Sequence, residues 1–446
     1  MKRIQNPRQL AVITLNELEE QGDFLREVLD FHLRKNDLSP LDQGLYTEIV
    51  YGTVRMQRNL DYVISLFSSR PLKKIAPSIL NVLRSAVYQI LYLERVPAHA
   101  VVNEAVKNAR IFGHEGVAKF TNGILRQIIR GREGIQYPDL QSDPIEHLGL
   151  KYSFPSWIIE HWFSWLGQDE TAALCRALNE APTMHIRVNT LKTSVEDLKG
   201  YFEGQGVSSL PGAFAPDVLE VNPAHLVVKD SALAHGMYYV QDESSALAGH
   251  ALQVRAGQTV YDLCSAPGGK TTHLAQLMKN EGKIIAFDVN PSRLKLVEEN
   301  SARLGVTIIE TRTGDAATDL GLAPAPRVLV DAPCSGLGTM KHRPDIRWRK
   351  TPQDIQELAT LQKKILGQAA KAVAPGGLLL YSTCTLTKDE NDDVAEWFLQ
   401  HHPDFEGASF PDWFPKTQRE AWKRTVLPHR HGLDGFFLAV FRKYKM

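Results

Sequence analysis

The chain has 446 residues, too many for one ordinary hydrophobic core, so about two to four domains are expected. Hydrophobic residues make up 43% and charged residues 23%, the balance of a water-soluble globular protein, and no apolar run is long enough to span a bilayer. Lys plus Arg and Asp plus Glu are both 51, so net charge says nothing about a polyanionic partner and only local clustering can point to one.

The opening Met1–Pro7 carries Lys2 and Arg3, but no apolar h-region follows, so no secretory signal is expected. Asn6-Pro7 reads as an N-cap with proline at the first helical position. Leu10, Ile13, Leu15 and Leu18 then follow roughly helical spacing, and similar patterns recur to about residue 135, predicting an all-helical region. Over residues 1–140 there are nineteen Lys/Arg against fifteen Asp/Glu, a mildly basic balance. The Pro- and Asp-containing stretch 137–144 reads as a boundary.

Residues 145–235 read as a mixed region. A helical piece holding Trp157, Trp162 and Trp165 is followed by a short alternating strand, Met184–Asn189, and by a helix capped by Ser194 and ended near Gly204 and Gly206. From Tyr238 the pattern turns to strand–helix alternation. Strands are expected at 260–265, 283–288, 307–311, 328–331 and 378–382, with helices at 271–279, 291–304 and 352–373. Such alternation predicts a parallel doubly wound sheet, whose ligands sit at the carboxyl ends of the strands.

Three features of this last region point to chemistry. Cys264-Ser265-Ala266-Pro267-Gly268-Gly269-Lys270 follows a strand and opens a helix, where glycines allow close approach and free N–H groups meet a polar ligand. It is neither GxxxxGK[ST] nor GxGxxG. Asp288, nineteen residues after Gly269, ends the next strand, where a carboxylate can accept from ribose hydroxyls. Asp315 and Asp331 end the two that follow, Asp315 where an adenine amino group fits. Carboxylates at successive strand ends without a phosphate fingerprint point to a nucleoside ligand, S-adenosylmethionine rather than a dinucleotide.

The four cysteines, Cys175, Cys264, Cys334 and Cys384, lack CxxC spacing, so neither a metal site nor a disulfide framework is expected, and a reduced cytoplasmic setting fits. Cys334 and Cys384 each lie just past a strand end, Cys334 close to Asp331. Such a set suits methylation of a pyrimidine carbon: a thiolate adds to C6, C5 becomes nucleophilic, and a carboxyl group stabilises the developing charge. Which cysteine attacks is not decided by spacing. Lys341–Lys350 holds five Lys/Arg and Trp348, an expected RNA contact with an aromatic able to stack on a base.

Residues 238–446 resemble the Sun/Nop2 family of RNA cytosine-C5 methyltransferases in Val240–Ser245, Asp262–Thr272, Asp331–Cys334, His342–Trp348, Ser382–Thr385 and Asp434–Phe437. The resemblance implies that Cys384 is the nucleophile and Cys334 assists product release. Val96–Val106 and the basic end Arg126–Arg132 resemble NusB antitermination factors, and Ile186–Thr190 resembles an RNA-facing strand of the catalytic family. A NusB-like domain fused to a Sun-type domain is the architecture of bacterial enzymes acting on 16S ribosomal RNA; transfer RNA or 23S ribosomal RNA is the alternative substrate. The expected layout is an all-α NusB-like RNA-binding domain at 1–140, a small α+β RNA-binding region at 145–235 and a Rossmann-like class I methyltransferase domain at 236–446. The expected site comprises Cys384, Cys334 and Asp331 for catalysis, and Cys264, Ser265, Ala266, Pro267, Gly268, Gly269, Lys270, Asp288, Asp315 and Asp331 for the cofactor. The protein is expected to be monomeric, with no metal and no membrane partner.

Overall fold

The computed structural model describes residues 6–411, 414 and 422–445; residues 1–5, scanned above for a leader, lie outside them. The chain forms two compact units: Met1–Asn179 with His342–Arg349, and Glu180–Lys341 with Lys350–Met446. The expected middle region is therefore divided, its Trp-rich helices falling in the first unit and the rest in the second. No described helix is long and apolar enough to cross a membrane.

The described part of the first unit is helical. Asn6 caps Pro7–Gln21 by accepting from the Arg8 and Gln9 N–H groups, as its place before proline predicts. Pro77–Tyr92 is buried along nearly its whole length and forms the axis on which other helices pack. Ser156–Leu166 buries Trp162 against Phe154.

The basic segment expected to meet RNA is used differently. Arg347 is fully buried and donates to the carbonyls of Arg55 (3.2 Å) and Ser153 (3.0 Å) and to Asn179 Oδ1 (3.0 Å). Trp348 Nε1 donates to the Val54 carbonyl at 2.7 Å, and Arg349 donates to the carbonyls of Asp23 and Gly22 at 2.8 and 2.6 Å. The reason is local: the last carbonyls of a helix have no partner within it, and here Pro40–Arg55 and Pro7–Gln21 end at these cations.

The second unit contains two sheets. Four strands, β1 (Met184–Val188), β2 (Ser208–Pro211), β3 (Val218–Asn222) and β4 (Tyr238–Val240), form an antiparallel sheet in the order β2-β3-β1-β4. The larger sheet comprises β5 (Thr259–Asp262), β6 (Lys283–Asp288), β7 (Ile309–Thr313), β8 (Ala325–Asp331), β9 (Val373–Thr383), β10 (Phe405–Gly407), β11 (Lys423–Val426) and β12 (Phe436–Lys443). Its order is β10-β12-β9-β8-β5-β6-β7, with β11 on β12. β5 to β9 are parallel as expected, but β12 runs antiparallel to β9, and β10 and β11 each pair antiparallel with β12, so the sheet is mixed. The chain winds outward from β5 through β6 to β7, then returns to β8 on the other side of β5, so the strand order reverses between β5 and β8. In such a sheet a crevice opens outside the carboxyl ends at this reversal.

The segment Ile186–Thr190 expected to face RNA is buried as far as Asn189: Ile186 and Val188 fill the core of the small sheet, and Arg187 and Asn189 are also covered, while Thr190 is exposed. Lys423 is internal too, pairing with Asp392 and Glu396 at 2.8 and 2.7 Å.

Candidate active site

A cavity of about 220 Å³ lies at the carboxyl ends of β5 and β8, lined by Asp262, Cys264, Ser265, Ala266, Pro267, Gly269, Lys270 and Asp331 together with Tyr239, Gln241, Asp242 and Ser245. The floor follows from the glycine loop. Gly268 has φ +100°, and a Cβ there would meet the Val297 Cα at 3.0 Å, so only glycine makes this turn without strain. Its N–H donates to the Ser265 carbonyl at 2.8 Å, and helix Gly269–Leu277 starts at once.

Asp262 ends β5 and is buried; Thr271 Oγ1 donates to its Oδ2 at 2.7 Å. Burial, with Asp331 nearby, pushes its carboxyl up to about 7. Asp262 Oδ1 and Ser265 Oγ are buried polar atoms with no hydrogen-bond partner, both in cavity-lining residues. Such atoms cost stability in isolation. They fit a polar ligand carrying N–H and O–H groups, such as an amino-acid ammonium or a ribose.

Asp288 ends β6 as expected. Its Oδ1 accepts from the Asn290 N–H at 2.9 Å and its Oδ2 from the Ala266 N–H at 3.3 Å, tying it to the glycine loop. Asp315 lies two residues beyond β7, exposed, and accepts from the Ala317 N–H at 2.9 Å. Neither lines the cavity itself, nor does Gly268.

Asp331 ends β8 with its two oxygens engaged separately: Lys270 Nζ donates to one at 2.7 Å and Ser382 Oγ to the other at 2.8 Å. Burial pulls the Lys270 ammonium down, but Asp331 outweighs it and Cys384 adds to it, so Lys270 stays charged well into the alkaline range. Its Nζ also lies 5.0 Å from the centre of the Phe436 ring.

The two loop cysteines meet. Cys334 Sγ and Cys384 Sγ are 3.4 Å apart, and neither is in a disulfide. The contact with Cys384, then burial, push the Cys334 thiol well above its usual range. Two thiols this close share one ionisation, because the first thiolate suppresses the second. Cys175 is buried, on helix Gln168–Ala177, the usual place of a free cysteine acting as a small hydrophobe.

Sequence reasoning missed what holds the cysteine loops. Glu390 is fully buried and accepts from the Ser335 N–H (2.8 Å), Gln362 Nε2 (3.0 Å), Thr387 Oγ1 (2.7 Å) and Ser335 Oγ (2.5 Å). Ser335 Oγ and Thr385 Oγ1 are 2.6 Å apart, linking the loop after β8 to the loop after β9. Gly338 N–H donates to the Cys384 carbonyl and Gly435 N–H to the Gly338 carbonyl, both at 2.9 Å. A Cβ at Gly338 would lie 2.0 Å from the Gly435 oxygen and one at Gly435 would lie 2.7 Å from the Gly338 Cα, which accounts for both glycines. Gln241, Asp242 and Ser245 were visible only as part of a matching string, with no role attached.

Comparison with known proteins agrees with this layout. A family described as 16S rRNA methyltransferase RsmB/F matches residues 249–442, the NusB family matches 5–130, and an RsmF/B-like ferredoxin-like domain matches 154–227. A probable ribosomal RNA small subunit methyltransferase B of Bacillus subtilis (strain 168) is 37% identical, covering 98% of both chains. The crystal structure of PH0851 superposes with a TM-score of 0.81 at 33% identity, covering 99% of this chain and 100% of that one. NSun6 from Pyrococcus horikoshii, solved with SFG, gives 0.60 at 26% identity over 66% of this chain and 100% of its own. With full-length similarity, a NusB-like helical region and a Rossmann-like catalytic sheet whose site loops coincide with the family's strings, the chain belongs to the 16S rRNA methyltransferase RsmB/F family, within the Sun/Nop2 methyltransferases.

Proposed function

We propose that the chain transfers a methyl group from S-adenosylmethionine to C5 of a cytosine in 16S ribosomal RNA, through a covalent bond between Cys384 and C6. The observation that carries this reading is the pair of cysteine thiols 3.4 Å apart, not joined in a disulfide, beside the Lys270–Asp331 ion pair. The cofactor assignment draws on the cavity at the strand-order reversal and on NSun6, a similar protein solved with the S-adenosylmethionine analogue SFG. The substrate draws on the relatives named as small subunit rRNA methyltransferases. Asp288 would hold the ribose hydroxyls, Asp315 would lie toward adenine, and residues 264–270 would bound the rest.

When bound, S-adenosylmethionine supplies an electrophilic methyl group. The protein makes C5 reactive toward it. Cys384, within electrostatic reach of the Lys270 ammonium, is the attacking thiol. Its thiolate adds to C6, and the electron pair displaced toward C5 takes the methyl group. Asp331, held by Lys270 and Ser382, would face N3 and the amino group of the base. Once Cys384 is a neutral thioether, it no longer suppresses ionisation of Cys334. Cys334 can then release its proton to solvent and, as thiolate, take the one at C5. The C5–C6 double bond re-forms and Cys384 leaves as thiolate.

The test is one assay with opposite outcomes. Cys334→Ser should methylate but release poorly, accumulating a protein–RNA adduct that survives denaturing electrophoresis. Cys384→Ser should form no adduct and lose activity. The reverse pattern would exchange the two roles, and full activity in both variants would end the covalent mechanism. Running wild type on 16S, 23S and transfer RNA, read by bisulfite sequencing, separates the substrates.

A further inference from the structure

β1 carries a side chain whose surroundings do not suit a residue of the small sheet alone. Ile186 and Val188 point into that sheet's own core, and Arg187, between them, points to the other face as strand alternation requires. Its guanidinium is fully buried, and among the described residues it has no carboxylate within ion-pair distance. Burying an unpaired cation costs several kcal/mol unless polar groups are arranged around it. Those groups belong to the cavity wall. Arg187 Nη1 donates to the Gly269 carbonyl at 2.6 Å and to Gln241 Oε1, and Nη2 donates to Thr272 Oγ1 at 3.0 Å. Thr272 Oγ1 in turn donates to the Gly268 carbonyl at 2.7 Å. The guanidinium carbon lies 5.3 Å from the centre of the Tyr239 ring. Tyr239, Gln241 and Gly269 all line the cavity.

We propose that Arg187 is the positioning residue of the cofactor loop, fixing Gly269, Thr272 and Gln241 from the small antiparallel sheet so that the cavity is formed before cofactor arrives. The C=O and following N–H of a trans peptide point opposite ways, so holding the Gly269 carbonyl sets the N–H of Lys270. The small sheet thereby contributes to cofactor capture through one buried side chain. This rests on reading the cavity as the S-adenosylmethionine site.

The experiment measures S-adenosylmethionine affinity by calorimetry, with kinetics and RNA binding, on the full chain and three variants. Arg187→Met removes every donor, Arg187→Lys keeps one cation able to reach a single carbonyl, and Val188→Ala loosens the same strand without touching the loop. Arg187→Met is expected to raise the cofactor Kd and KM at least about tenfold, with kcat at saturating cofactor and RNA affinity changed less than about threefold. Arg187→Lys should recover part of the loss, and Val188→Ala should bind cofactor within about twofold of wild type despite a lower Tm. Unchanged cofactor affinity in Arg187→Met would overturn the proposal. So would an equal loss in Val188→Ala, or a loss confined to RNA binding. If Arg187→Met does not fold, Arg187→Lys carries the test, and wild-type affinity in it counts against the proposal. Wild-type protein that fails to bind S-adenosylmethionine would instead overturn the reading of the cavity.

Discussion

Glu390 offers a sharp test of how the cysteine loops are held. It is fully buried, with four hydrogen bonds to its two oxygens and no cation partner among the described residues. Oε1 accepts from two obligate donors, the Ser335 N–H and Gln362 Nε2. Oε2 accepts from two hydroxyls, Ser335 and Thr387, which can reverse their role. Glu390→Gln can therefore keep its carbonyl oxygen at the Oε1 position and turn its amide toward the hydroxyls. Ser335 would then accept from that amide and donate to Thr385. The charge-assisted part of the bonds is lost, while the burial of a charge is relieved, so the net cost should be about 1–2 kcal/mol. Glu390→Ala strands two N–H donors and two hydroxyls and leaves a cavity, at about 5 kcal/mol. Hydrogen exchange of the Ser335 amide, read by mass spectrometry on the peptide spanning 332–340, measures the local opening free energy. Methyl transfer should fall with it, because the same bonds set the separation of Cys334 and Cys384. Equal damage from Gln and Ala, or an Ala cost below about 1.5 kcal/mol, would refute the argument.

Further outcomes follow from the same geometry. Gly338→Ala must displace the Gly435 backbone oxygen from 2.0 Å, so it should cost about 3 kcal/mol or more and abolish activity, checked by urea unfolding and a methyl-transfer assay. Asp288→Ala should weaken S-adenosylmethionine binding at least about tenfold by calorimetry with the fold intact by circular dichroism, since a charge-assisted hydrogen bond is worth about 1.5–3 kcal/mol. His273, buried on Asp217 at 2.8 Å, has its pKa pulled down to about 4, chiefly by burial. The unfolded chain takes up that proton first as pH falls through about 6.5, so stability should drop by on the order of 3 kcal/mol between there and about pH 4. Asp217, whose pKa is lowered by His273 and His250 against its burial, adds a loss in the same direction at lower pH. Denaturant midpoints across this range should flatten in His273→Gln.

Much of the site was legible because its signals are local. The glycine loop is marked by Gly268 and Gly269 after a β-rich run, and Asp288 and Asp331 stand at strand ends that periodicity locates. What stayed hidden depends on which surface covers a residue. Arg187 sits at the polar position of an alternating strand, a pattern that reads as facing solvent, and nothing nearby in sequence announces that Gly269 will cover it. Trp348 and its arginines likewise read as a surface cluster, because helix carbonyls nearly three hundred residues away are their partners. Phe436–Lys443 is an unbroken apolar run ending in basic residues, compatible with a buried strand of either direction; only pairing with β9 makes it antiparallel.

The segment His342–Arg349 also sets an order of events during synthesis. The helices ending at Arg55 and Gln21 emerge early, yet the cations that satisfy their last carbonyls are encoded after β8. Domains usually complete themselves from the N-terminus as the chain leaves the ribosome. Here the helical unit waits, with exposed carbonyls around Val54 and an incomplete core, until β5 to β8, half the strands of the larger sheet, have been made. Chain that stalls before Arg349 leaves the first unit unfinished, so this unit's completion reports that translation has passed the cysteine loop at Cys334.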